Sequence, residues 1–268
     1  FIIIMKMADY SAPKVQEYFG LPGVSLPHTE TVSWAPIMIL LDKIYDNIPG
    51  FNKIHLDGES IQKKFGILGD PMVLGLILGA LIGILAGYQP NAVVTLAVNM
   101  AAVMFILPRM VRILMEGLMP LSEDAKKFLA KKFPGKEVNI GLDAAVATGS
   151  PMVISTALLM IPITLFLAVI LPGNKLLPLV DLSTLPFFMI WPVVASKGNL
   201  FRSLISGTLM MIAILYIGTN LAPTVTMIAH STNFAFPEGA SAVSSLDVGA
   251  HLVPYIIYKV SQFISMIF

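Results

Sequence analysis

The sequence contains no cysteine, and only 12% of its 268 residues are charged, against roughly 25% in an ordinary soluble domain. Without cysteine there is no disulfide framework, and no thiol of this sequence can serve as nucleophile or metal ligand. Seventeen Lys and Arg against sixteen Asp and Glu leave a net charge of +1, too little basic excess for a nucleic-acid surface. The few charges are also bunched. There are 38 uncharged residues between Asp70 and Arg109, 31 between Asp143 and Lys175, and 35 between Arg202 and Glu238. A helix needs about 20 apolar residues to cross a bilayer core. The composition therefore excludes a soluble enzyme and predicts an all-α polytopic membrane protein. The sequence opens on Phe1 rather than Met, and it reads as a portion of a longer protein, residues 1–268 forming its C-terminal part.

Gly20 to Pro27 is too rich in Gly and Pro for a regular helix. It leads through His28-Thr29-Glu30-Thr31 into an apolar segment opened by Pro36. Two spans are expected over 71–107. The first of them carries Gly75, Gly79, Gly83 and Gly87 at every fourth position, a smooth stripe against which another helix can pack closely. Residues 108–136 change character. Acids sit early and lysines late in Ser122–Phe133, with Ala125, Phe128, Leu129 and Phe133 on one face, which suits an amphipathic helix on the membrane surface. Further spans are expected over 152–268, at Pro151–Leu171, Leu177–Ala195, Leu204–Leu221 and His251–Phe268. The seven basic residues of Arg109–Lys136, the three of Asn52–Asp70 and the two of Lys197–Arg202 place those segments on the cytoplasmic side.

Two stretches overlay without a gap. In His28–Ile39 and Asp143–Ile154 a polar residue stands eight positions before a Pro that opens an apolar helix (Pro36 and Pro151), and Pro49-Gly50 and Pro172-Gly173 close the two helices. Non-helical backbone inside a membrane persists only where protein buries it or it lines a wet cavity. Transporters built from repeats bind substrate at such broken helices. The expected architecture therefore holds two re-entrant hairpins, over 20–36 and 138–151, with His28 and Asp143 facing one another. Titratable residues in apolar surroundings are costly and mark functional sites. Glu30 shares the first hairpin, and Thr29, Thr31 and Thr148 add hydroxyls that suit a polyol. The plainer alternative makes His28 an interfacial loop residue and Asp143 a helix cap. His230, Glu238, Asp247 and His251 show no helix-face ligand spacing, so no metal or other cofactor is expected.

Several of these residues carry a resemblance. Phe19-Gly-Leu-Pro-Gly-Val-Ser-Leu-Pro-His28, Ile48-Pro-Gly-Phe-Asn-Lys-Ile54, Ile61-Gln-Lys-Lys-Phe-Gly66, Gly83-Ile-Leu-Ala-Gly-Tyr88, Ile140-Gly-Leu-Asp143, Leu171-Pro-Gly-Asn174 and Gly198-Asn-Leu-Phe-Arg-Ser-Leu-Ile-Ser-Gly207 occur in order along nearly the whole sequence. Together they resemble the galactitol-specific enzyme IIC component of the bacterial phosphoenolpyruvate-dependent sugar phosphotransferase system. The resemblance implies the ascorbate/galactitol-type IIC architecture, a homodimer with a core domain for the sugar and a dimerisation domain. It also implies an elevator-like movement of the core in the inner membrane. A phosphocysteine on a separate IIB component would phosphorylate the sugar, so the chain itself would be a transporter subunit and no enzyme. Two departures stand out: the family has a long segment with further spans before the point matching Phe1, and Thr29-Glu30-Thr31 stands where Gly-Thr-Ser is expected. The expected substrate-binding residues are His28, Thr29, Glu30, Asp143 and Thr148, with a proton- or sodium-coupled secondary transporter of a small polar solute as the alternative.

Overall fold

The computed structural model describes residues 1–54, 56, 70–133, 139–236 and 242–267. The Ile61–Gly66 motif, Glu238 and the first residue of the 138–151 hairpin lie outside them. Helix α1 (Ile2–Phe19) leads to a two-residue strand β1 (Val24–Ser25), a one-turn helix α2 (Thr29–Val32) and α3 (Ala35–Asp46). Then follow α4 (Pro71–Leu85), α5 (Pro90–Lys132), strand β2 (Ile140–Gly141), the one-turn helix α6 (Ala145–Thr148) and α7 (Pro151–Ile170). A 3-10 turn (Asp181–Thr184) opens α8 (Leu185–Ala195), and α9 (Leu200–Ser231), α10 (Leu246–Ala250) and α11 (Leu252–Ile267) complete the order.

Among the described residues, three helices are long and apolar enough to cross a membrane: Pro90–Leu107 within α5, α7 and α9. The stretch Leu177–Ala195 differs from the expected span. Its helix is only the 11 residues of α8, about 16 Å at 1.5 Å per residue, or half a bilayer core. This helix is apolar on all sides and is the centre of the core. Leu185, Phe188, Met189, Ile190, Trp191, Val193 and Val194 are each at most 2% exposed, and α1, α2, α3, α6, α7 and α9 all touch it. A helix apolar all round is stable only when enclosed, and here other helices enclose it.

A second difference falls at Pro108. One helix runs unbroken from Pro90 to Lys132 through the boundary expected there. The amphipathic stretch thus continues the preceding span, since the proline removes one backbone hydrogen bond and the others carry the helix past it. The glycine stripe packs as expected on a neighbouring helix. A Cβ on Gly79 would lie 2.8 Å from the Ala97 Cα and one on Gly75 2.8 Å from the Met100 carbonyl oxygen, both in α5. Gly87 has a different task. It sits at φ +70°, where Tyr88 N–H donates to the Gly83 carbonyl at 3.0 Å and Gly87 N–H to that of Ile84 at 3.0 Å. This paired bonding is the left-handed close of a helix.

Candidate functional site

The two stretches that overlay in sequence meet in space. Val24 pairs with Ile140 and Ser25 with Gly141 in a parallel ladder. Ile140 N–H donates to the Gly23 carbonyl at 2.8 Å and Leu142 N–H to that of Ser25 at 2.9 Å. The contact is close: a Cβ on Gly141 would lie 2.8 Å from Pro27 Cγ. Helix α1 secures the junction, Gln16 Nε2 donating to the Val24 carbonyl at 3.2 Å and to Asn139 Oδ1 at 3.1 Å. After each strand comes one helical turn and then a longer helix opened by a Pro in its first turn, where the missing N–H costs nothing.

The structural register differs by one residue from the sequence overlay. Val24 matches Ile140, Thr29 matches Ala145 and Ala35 matches Pro151 as the starts of equivalent elements. His28 therefore corresponds to Ala144, each preceding its one-turn helix as N-cap. The sequence alignment on proline slipped because Pro36 is the second residue of α3 and Pro151 the first of α7. Both positions tolerate proline, so proline alone does not fix the register.

His28, Glu30 and Asp143 still come together at this junction. Asp143 lies within electrostatic reach of His28, and His28 Nδ1 lies 3.9 Å from Glu30 Oε2. The imidazole stacks on Phe187 of α8, with ring centroids 5.5 Å apart. Its Nδ1 is buried and has no hydrogen-bond partner among the described residues. Glu30 is 9% exposed. Asp143 is exposed, and its Oδ1 accepts from Ala145 N–H at 2.8 Å. This is a turn bond just before α6, whose N-cap is Ala144 and carries no side-chain cap bond, so Asp143 is not the helix cap of the plainer alternative. Thr148 Oγ1 donates to the Ala145 carbonyl at 2.7 Å, which leaves only its lone pairs for a ligand. The Thr29 carbonyl accepts from Ser33 Oγ. Among the described residues, no group of three or more His, Asp or Glu is placed to hold a metal ion.

Sequence reasoning missed Phe187, and it also missed Asp181 in the turn before α8. Asp181 lies within electrostatic reach of Glu30. The signal was a single acid inside an apolar run, which reads equally well as a span boundary.

Three helices of spanning length, with two matched segments that gather titratable side chains beside them, are consistent with an α-helical membrane protein of the permease class. The chain belongs to the family described as the PTS system sugar-specific permease component, whose model matches residues 1–239. It is 45% identical over 245 residues to a putative permease IIC component of Escherichia coli (strain K12), covering 91% of this chain and 56% of that protein. It is 39% identical over 257 residues to the PTS system galactitol-specific EIIC component of the same organism, covering 96% of this chain and 56% of that one. The chain thus spans little more than half the length of these curated relatives. No solved structure matches it.

Proposed function

We propose that the chain is the part of a phosphotransferase-system permease that binds a sugar alcohol such as galactitol and carries it across the bacterial inner membrane. In this reading a separate IIB component phosphorylates the sugar, and the permease works as a homodimer. Its segments 20–36 and 138–151 are re-entrant hairpins. His28, Thr29, Glu30, Asp143 and Thr148 line the site, and the basic stretch after Leu107 faces the cytoplasm.

The single observation that carries this reading is the β1–β2 pairing. It gathers His28, Glu30 and Asp143 beside the apolar helix α8 at the centre of the core. The galactitol-specific relative supports the substrate class. A polyol offers only hydroxyls, and carboxylates and an imidazole are suited to bind them. Hydrogen bonds to a charged group contribute about 1.5–3 kcal/mol each, or roughly one to two decades of affinity.

In the full-length protein, His28→Ala and Asp143→Asn should each weaken equilibrium binding of galactitol at least about tenfold with expression intact. Uptake into vesicles should require IIB and a phosphoryl donor and should yield phosphorylated product. Uptake of unmodified sugar driven by an ion gradient would instead establish a secondary transporter. Parent-like binding by both variants would make the two hairpins structural loops.

A further inference from the structure

The segment before α11 is anchored from three sides. Ser245 Oγ caps α10 by accepting from Val248 N–H at 3.1 Å. Leu246 N–H donates to Asp181 Oδ2 at 2.7 Å, and the Ala250 carbonyl accepts from the buried Trp34 Nε1 at 2.7 Å. On its other side Gly249 meets the Ile214 carbonyl of α9 so closely that a Cβ has no room. These bonds seat α10 against α2. Asp247 thereby lies within electrostatic reach of both Glu30 and His28, and His251 within that of His28. The His251 ring is itself oriented, with Nδ1 2.7 Å from the Asp247 carbonyl.

The polar groups gathered here satisfy one another only in part. Glu30 is 9% exposed, and its carboxyl lies close enough to that of Asp247 for the two to share a hydrogen bond. His28 Nδ1, 3.9 Å from Glu30 Oε2, is beyond hydrogen-bond distance, and Asp181 adds a further acid nearby. Among the described residues His28 Nδ1 is buried with no partner. Acids held side by side with no basic donor between them are costly. What the cluster lacks is a neutral molecule that donates several O–H groups and accepts from an imidazole. Phe187, stacked on His28, offers an apolar face for the carbon chain of such a molecule.

We propose that α10 and the residue that follows it supply the second wall of the sugar-alcohol site, with Asp247 and His251 binding hydroxyls opposite Glu30 and His28. This rests on the permease reading above. It also assigns a role to two residues whose sequence spacing pointed to nothing, because their partners lie in another segment.

The test is galactitol binding by calorimetry to the full-length protein and to Asp247→Asn, His251→Ala and His28→Ala, repeated with the monodeoxy galactitols. The Asp247 and His251 variants should each lose at least about tenfold in affinity, with melting temperatures in the absence of ligand unchanged. A merely structural role would not give the further expected result: one monodeoxy analogue should bind Asp247→Asn as well as galactitol does, because the hydroxyl it lacks is the one Asp247 holds. If His28→Ala weakens binding while the Asp247 and His251 variants match the parent, or if every deoxy loss adds to that of Asp247→Asn, the proposal falls and the permease reading stands. If the parent does not bind galactitol, both fall. Should Asp247→Asn fail to accumulate, Asp247→Glu is used in its place, and parent affinity with the parent ranking of the analogues overturns the proposal.

Discussion

Two apolar helices of nearly equal mean hydropathy are used in opposite ways. In the Pro90–Leu107 part of α5 17% of the residues are buried, whereas in the most apolar stretch of α9 50% are. Helix α5 packs on α4 through the glycine stripe and touches the rest of the molecule mainly at α7. Its outer side shows Val94, Val98, Phe105 and Ile106. Helix α9 carries buried Arg202, Ser203, Ser206 and Gly207 among its apolar residues. Ser203 Oγ lies 2.8 Å from Ser196 Oγ, and Ser206 Oγ donates to Tyr45 Oη at 3.1 Å. Polar atoms enclosed by protein are tolerated because they have partners there. A helix facing lipid has none to offer, so its outer face is uniformly apolar. Hydropathy measures only how much a helix avoids water; the small and hydroxylated residues show which helices avoid lipid as well.

The sharpest way to break this comparison is Arg202→Met. The Arg202 side chain is 8% exposed, and its Nη1 lies 2.9 Å from Asp42 Oδ1 and 2.8 Å from Asp46 Oδ1. Removing the cation strands the largely enclosed Asp42, and the loss should be about 3–5 kcal/mol. It should appear as little or no monodisperse protein in detergent. Next comes Gly79→Leu. It pushes α4 off Ala97 and Leu96 and should cost about 1–3 kcal/mol by overpacking. The melting temperature in detergent should fall, and an unchanged one would mean that the stripe does not seat α4.

On the outer side of the same helices the effect should nearly vanish. Ile84→Ala, at a position 64% exposed, should stay within about 0.5 kcal/mol in a melting assay. A larger loss would mean that this side is covered by protein rather than lipid.

The smallest expected effect is at the rim of the core, where Lys197 Nζ donates to Glu17 Oε1 at 2.7 Å with both side chains largely exposed. The lysine holds the Glu17 carboxyl below its ordinary value, chiefly through that hydrogen bond. A carboxyl lowered on folding contributes stability above its unfolded pKa and loses it as pH falls through the lowered one. Glu17→Gln should therefore melt slightly below the parent at pH near 7, and the two should converge near about pH 3. Added salt should shrink the gap.

The class of the protein was legible because charge is expensive in a bilayer, and three long uncharged runs cannot be hidden in a chain of this size. The kinship of the two strand–turn–helix segments was legible from a polar residue and a helix-opening Pro at matched spacing. The glycine stripe announced a packed helix, although only contact geometry separates Gly75, Gly79 and Gly83, which pack, from Gly87, which ends the turn. Other features had no local signature. Pro108 reads as a boundary because proline removes one hydrogen bond, but the remaining bonds carry the helix past it. Asp181, Asp247 and Trp34 meet only through tertiary contacts, which no spacing within one segment encodes. The one-residue slip between overlay and register has the same origin: proline fits two adjacent first-turn positions, whereas the ladder accepts one register.

The β1–β2 ladder also sets an order in time. Its two strands are separated in the chain by α3, α4 and the long α5, so a chain being synthesised presents Gly23 and Ser25 long before Ile140 and Leu142 exist. Until then the Gly23 and Ser25 carbonyls lack the amides that later bind them, and Pro27 lacks the glycine it packs on. The segment around β1 must wait, held by water or another protein, while α4 and α5 settle. Closing so large a loop before any contact repays it is slow. The β1–β2 junction therefore matures late, and a ribosome stalled before residue 140 leaves a chain with α4 and α5 but no ladder.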